Sequence, residues 1–214
     1  MRRMLTSKWA KVAVFLGCLS PLGYLGWRAL HQDLTANPIE FITHLTGDWT
    51  LRFLLITLAI TPLRSLLRLS DLIRFRRMLG LFAFFYGMLH LITFVVIDHF
   101  FDWHEIMKDG VKRPFVTAGF TGLVLLVPLA VTSTRGWIRR LGGKRWQALH
   151  RLIYVSSAAG VIHYYWLVKS DVSKPLEYGI VLAALLVWRV GVWAKRKRSA
   201  TQVTSTIAAA EMAD

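Results

Sequence analysis

The stretch from Trp146 to Val168 (WQALHRLIYVSSAAGVIHYYWLV) constrains this chain more than any other. It is apolar over a length that matches the roughly 20 residues a helix needs to cross a bilayer. Two histidines sit inside it, His150 near its start and His163 toward its far end. At about 1.5 Å of rise per residue they lie roughly 20 Å apart along a helix axis. An ionisable side chain at membrane depth costs a few kcal/mol by insertion scales, so it ordinarily has a partner or a function there.

Further apolar runs use up most of the remaining chain. They lie at about Trp9 to Leu30, Trp49 to Leu69, Met78 to Phe100, Phe115 to Thr134 and Leu176 to Ala194. With 55% apolar residues and a mean hydropathy of +0.45, the class is an all-α membrane protein, a bundle of six transmembrane helices. Residues 1–198 form this six-span domain, and residues 199–214, polar and small, read as a disordered cytoplasmic tail. The formal net charge of +15 would suggest nucleic acid in a soluble protein. Here about twenty of the 27 Lys and Arg fall at the N-terminus, in the second-to-third and fourth-to-fifth connections and after the last span. That pattern excludes a nucleic-acid partner and places both termini on the cytoplasmic side. Arg2 and Arg3 read as inside-facing charges, and Arg189 as a residue that snorkels to the cytoplasmic interface. Trp9, Trp27, Trp49, Trp103, Trp137, Trp146 and Trp193 fall near span ends, as an interfacial belt does. The single Cys18 leaves no disulfide framework, no CxxC and no iron–sulfur pattern.

With this orientation the third and fifth spans both run outward from the cytoplasm. His90, in the third, and His163 then reach similar depths, roughly 20–24 Å from the cytoplasmic side. They are expected to face each other in the outer half of the bundle. At the depth of His150, the third span offers Arg76 and Arg77. Arg76 lies 14 residues before His90, close to four turns, and shares its face. His150 and His163 are 13 residues apart, which leaves them about 140° apart on a straight helix. A π-bulge at Ser156–Gly160 would bring them onto one face. Neutral imidazoles are axial ligands of haem iron, and helical bundles grip such rings between facing helices. No CxxCH occurs, so attachment would be non-covalent and b-type, with one or two haems. The candidate axial ligands are His90, His163 and His150, with Arg76 or Arg77 supporting the inner propionates or ligating weakly. His31, His44, His99 and His104 fall in outer loops or at span ends. A metal site from His99, Asp102 and His104 has weak spacing. No Gly-rich phosphate loop and no nicotinamide fingerprint occurs in the chain.

The motifs TPLR (61–64), RRMLGL (76–81), YGMLHL (86–91), LHRLIY (149–154) and HYYWLVKSD (163–171) together resemble the ferric-reductase-like transmembrane domain family. The resemblance covers about residues 8–197 and is closest to the branch that serves a methionine sulfoxide reductase system. It implies a b-type cytochrome of the bacterial inner membrane. Such a subunit takes electrons from the quinol pool or a cytoplasmic flavin reductase. It delivers them to a periplasmic molybdopterin-containing catalytic subunit that reduces methionine sulfoxide in oxidised proteins. The resemblance also implies FMN as a further cofactor. In the wider family four histidines on two helices hold two haems. Here His90 and His163 match the outer pair and His150 the inner site, and the fourth position falls at Arg76. Water, a neighbouring residue, or a single-haem protein are the alternatives for the inner site. Two other functions compete: a stand-alone ferric or cupric reductase, and a transporter using the histidines as a proton relay. No inverted repeat favours the transporter.

Overall fold

The computed structural model describes residues 7–211. Arg2 and Arg3 lie outside the described residues, as do the last three residues of the expected tail. Every regular element among the described residues is helical. Helix α1 (Lys8–Leu30) begins where the Ser7 hydroxyl accepts from the Trp9 amide. Helix α2 (Pro38–Leu66) begins well before the Trp49 expected from hydropathy. Asn37 caps it by accepting from the Glu40 amide, and Pro38 fits the first turn because it lacks an N–H. Helix α3 (Ile73–Ile92) runs on through a π-helical stretch, Thr93–Asp98. The outer connection, expected as a loop, contains helix α4 (Trp103–Lys112), capped by the Asp102 carboxylate on the Glu105 amide. Helices α5 (Pro114–Val131), α6 (Arg135–Leu141) and α7 (Gly143–Leu149) follow, then α8 (Leu152–Leu167) and α9 (Ser173–Glu211).

Two helix pairs make the bundle. In the first, α2 and α3 pack along an aromatic seam in which Phe53 stacks on Tyr86 with ring centroids 5.4 Å apart. Tyr86 is fully buried, and its hydroxyl donates to the Cys18 carbonyl at 2.9 Å, which ties α1 to the pair. In the second, α5 and α8 approach through small residues. The Ser156 hydroxyl donates to the Gly122 carbonyl at 2.8 Å, and a Cβ on Gly122 would meet Ala159 at 3.3 Å. Close backbone approach of this kind is how helices associate where lipid is as apolar as the side chains. Hydroxyls of Thr46, Thr50 and Thr57 each donate to a carbonyl one turn back, which satisfies them inside α2, whereas the Thr61 hydroxyl near its end is buried without a partner.

Three expectations need correction. The 146–168 stretch is not one helix: α7 ends at Leu149 and α8 begins at Leu152. The His150 ring folds back over Trp146, with centroids 3.8 Å apart, and both its amide and its Nδ1–H donate to the Trp146 carbonyl. The next bonds, Arg151 N–H to Ala148 and Tyr154 N–H to Arg151, span three residues and tighten the chain out of the α-helical ladder. The slack between His150 and His163 therefore comes from this break and not from a π-bulge at 156–160. Second, the helix does not stop at the KRKR cluster but continues to Glu211, because no Gly or Pro follows Gly191 to end it. Third, Arg189 lies across the Tyr154 ring at 5.0 Å with Nη2 buried and unpaired, so its guanidinium is not simply released to the interface.

Five helices among the described residues are long and apolar enough to cross a membrane: α1, α2, α3 with its π extension, α5 and the first part of α9. The 16 residues of α8 reach about 24 Å, short of the roughly 30 Å hydrocarbon core, so the break at His150 is what takes it off that list.

Candidate functional site

Between the two helix pairs lies a cavity of about 300 Å³. Its walls come from α2 and α3 on one side and from α5 and α8 on the other. His90 enters from α3 and His163 from α8, with ring centroids 6.0 Å apart and ring planes nearly perpendicular at 84°. The structure thus brings together the two histidines whose depths match in the sequence. Each is held from behind by a main-chain carbonyl of the helix beside it. The His90 Nδ1–H donates to Thr43 at 3.0 Å, and the His163 Nδ1–H donates to Phe115 at 2.6 Å. A carbonyl only accepts, so both rings carry their proton on Nδ1 and keep the Nε2 lone pair for another partner. A bond of this kind is what orients an imidazole in proteins whose histidines ligate a metal through the other nitrogen.

Two glycines give the rings their room. A Cβ on Gly119 would lie 2.6 Å from Nδ1 of His163, and one on Gly47 would lie 3.2 Å from the His90 ring. An imidazole–metal–imidazole unit with bonds of about 2 Å on either side spans roughly 6 Å between ring centroids. The observed spacing fits a metal shared between the rings, and the mainly apolar walls fit the edge of a macrocycle.

His150 lies apart from this pair, at the end of α7. Its Nδ1–H is also committed to a carbonyl, and its Nε2 is buried with no hydrogen-bond partner. An orphaned buried imidazole nitrogen fits an inner ligand position. Arg76, half-buried, and Arg77, exposed, are close enough to act on it electrostatically. No other histidine joins them. The alternative metal cluster does not form: among the described residues no three His, Cys, Asp or Glu side chains are placed so that they could hold a metal ion. Asp102 is spent on capping α4, and His99 Nε2 meets the Asp109 carboxylate at 3.2 Å instead.

The sequence reading missed the carbonyls of Thr43 and Phe115 and the two glycines. It also missed Arg52, which donates to the Tyr178 hydroxyl at 2.9 Å and stands beside Asp48 near the cavity. The signal for Arg52 was present, since a cation inside an apolar run asks for partners.

Apolar helices that pair histidines across a central cavity define a class of membrane haem proteins. The model of that class described as ferric reductase like transmembrane component matches residues 46–161, over half of the chain, and the chain belongs to this family. Within it, the chain is similar to three proteins that each carry the name protein-methionine-sulfoxide reductase heme-binding subunit MsrQ. That of Herminiimonas arsenicoxydans is 58% identical over 191 residues, 88% of this chain and 87% of the relative. That of Rhodospirillum rubrum is 52% identical over 189 residues, 88% and 91% of the two chains. That of Caulobacter vibrioides is 51% identical over 184 residues, 86% and 87%.

Proposed function

We propose that this chain is the b-type cytochrome membrane subunit of a methionine sulfoxide reductase system. In this reading it passes electrons from the quinol pool or a cytoplasmic flavin reductase across the bacterial inner membrane. The acceptor is a periplasmic molybdopterin-containing catalytic subunit, MsrP, so this chain does no substrate chemistry itself. The observation that carries the reading is the His90–His163 pair, each ring fixed through Nδ1 and facing one cavity 6.0 Å from the other.

When bound, haem would supply a one-electron carrier within the hydrocarbon. His90 and His163 hold the outer group, and the carbonyls of Thr43 and Phe115 keep both imidazoles in the ligating tautomer. His150 offers the inner ligand nitrogen, and Arg76 and Arg77 bring the positive charge that propionates need. With α8 counted as a crossing, the chain spans six times and both ends stay cytoplasmic. FMN belongs to this reading as a further cofactor, and no residue is assigned to it.

The test is a dithionite-reduced minus oxidised spectrum of detergent-purified protein, with haem quantified per chain. A b-type α-band is expected, and H163A should lose most of the haem while still inserting. Full haem retention in H163A would sink the outer pair, and a folded, haem-supplied protein with no α-band would sink the whole reading.

A further inference from the structure

Away from the paired histidines, at the ends of α2 and α3 near α7 and α9, lies a second cavity of about 630 Å³. Four arginines line it: Arg64 and Arg68 from the end of α2, Arg76 from α3 and Arg189 from α9. No Asp or Glu is among its lining residues, and among the described residues none of the four arginines makes an ion pair. Arg64 and Arg189 both lie within electrostatic reach of Arg76. Like charges gathered around one open space oppose folding unless an anion offsets them.

Two further observations point into the same space. The Thr61 hydroxyl and Nη2 of Arg189 line this cavity or its wall, and both atoms are buried without a hydrogen-bond partner. Arg68 sits at φ +54°, in the left-handed region that costs any side chain with a Cβ. It closes α2 in the position where glycine is usual, with the Leu69 amide donating back to Arg64 at 3.1 Å. An arginine there accepts backbone strain and brings a cation to the rim.

We infer that this cavity is a binding site for a phosphate group, which guanidinium forks recognise bidentately. The phosphate comes either from an anionic phospholipid headgroup or from a soluble phosphate ester. Basic pockets between spanning helices bind headgroups in this way. The exposed Trp188 ring on the wall offers an apolar surface to whatever carries the phosphate. The inference shares Arg76 with the haem reading, whereas Arg64, Arg68 and Arg189 have no part in that reading and are where the test is placed.

The experiment uses the full-length protein as purified, with its haem content measured. Binding is followed by calorimetry with two probes at constant ionic strength: phenyl phosphate, and vesicles of phosphatidylglycerol compared with phosphatidylcholine. The variants are R68G and R189Q. Binding of at least one probe is expected, weakened about tenfold or more in each variant, the loss of one charge-assisted contact. R68G should unfold at no lower temperature than the parent, since glycine relieves the left-handed strain, so lost binding there cannot be lost folding. Phosphatidylglycerol alone identifies a lipid headgroup, phenyl phosphate alone a soluble ester, and binding of both supports the shared chemistry. Absence of binding by either probe, or equal binding by parent and variants, overturns the site. Loss of haem in R68G and R189Q alongside loss of binding overturns it too, by assigning the arginines to haem propionates.

Discussion

A methyl group on Gly119 would stand 2.6 Å from Nδ1 of His163, closer than any relaxed contact, so the ring would have to leave the Phe115 carbonyl. Overpacking of this kind costs about 1–3 kcal/mol, which corresponds to roughly 5- to 150-fold weaker binding of a group held by that ring. G119A is therefore expected to lose most of the outer haem, read as haem per chain and as α-band intensity. At Gly47 the corresponding contact with His90 is 3.2 Å, so G47A should lose less and shift the band more than it depletes it. Gly26, with nothing within 4 Å of an added Cβ, is the control, and G26A should leave the spectrum unchanged. The histidines were legible in the sequence because an ionisable group in an apolar run stands out. The glycines were not, because a glycine in a spanning helix has many packing uses and nothing in its neighbours tells them apart.

Among the helices, the α7–α8 junction shows where hydropathy stops being informative. Hydropathy reads contact with lipid, and on that measure 146–168 is one segment; the ladder departs from α-helical spacing just after His150, whose amide and ring both donate to the Trp146 carbonyl. Trp146 holds the ring in that position. Its indole N–H donates to the Thr132 carbonyl at 2.9 Å, and its ring carries the His150 imidazole. W146A should free His150 and change only the inner-site signal, leaving the His90–His163 band in place; loss of both together would show that the junction supports the whole bundle. Gly142 precedes α7 at φ +73°, with open space where a Cβ would go. G142A thus carries backbone strain alone, about 1–3 kcal/mol at its ψ of 153°, and should lower the unfolding midpoint by roughly 2–12 °C with an unaltered spectrum. Legible but unread were the caps. Asn37–Pro38–Ile39–Glu40 and Asp102–Trp103–His104–Glu105 both carry the signature of a helix start, which is why α2 begins early and α4 exists at all.

Taken as one body, the molecule is two tight helix pairs with a cavity between them, and the two facing histidines come one from each. The α2–α3 pair closes on Phe53 and Tyr86, and the α5–α8 pair closes on Gly122 and Ser156. Across the cavity, the pairs meet at Leu51 against Gly160 and at Leu123 against Gly87. A ligand taken by His90 and His163 together would tie the pairs to each other, and its binding free energy would become bundle stability. At a thousandfold excess over its dissociation constant, such a ligand adds about 4 kcal/mol. Haem-free protein should therefore unfold at a distinctly lower temperature than haem-loaded protein. The stronger consequence concerns additivity. H90A and H163A should each remove nearly the whole of this increment, since either loss breaks the bridge, and the double variant should fall little further than the worse single one. Independent sites add to within a few tenths of a kcal/mol, so the departure is large enough to measure by thermal unfolding in detergent. Additive losses would mean that each imidazole stabilises its own helix pair through the Thr43 and Phe115 carbonyls alone. The two pairs would then be held together by packing, with no shared ligand between the rings.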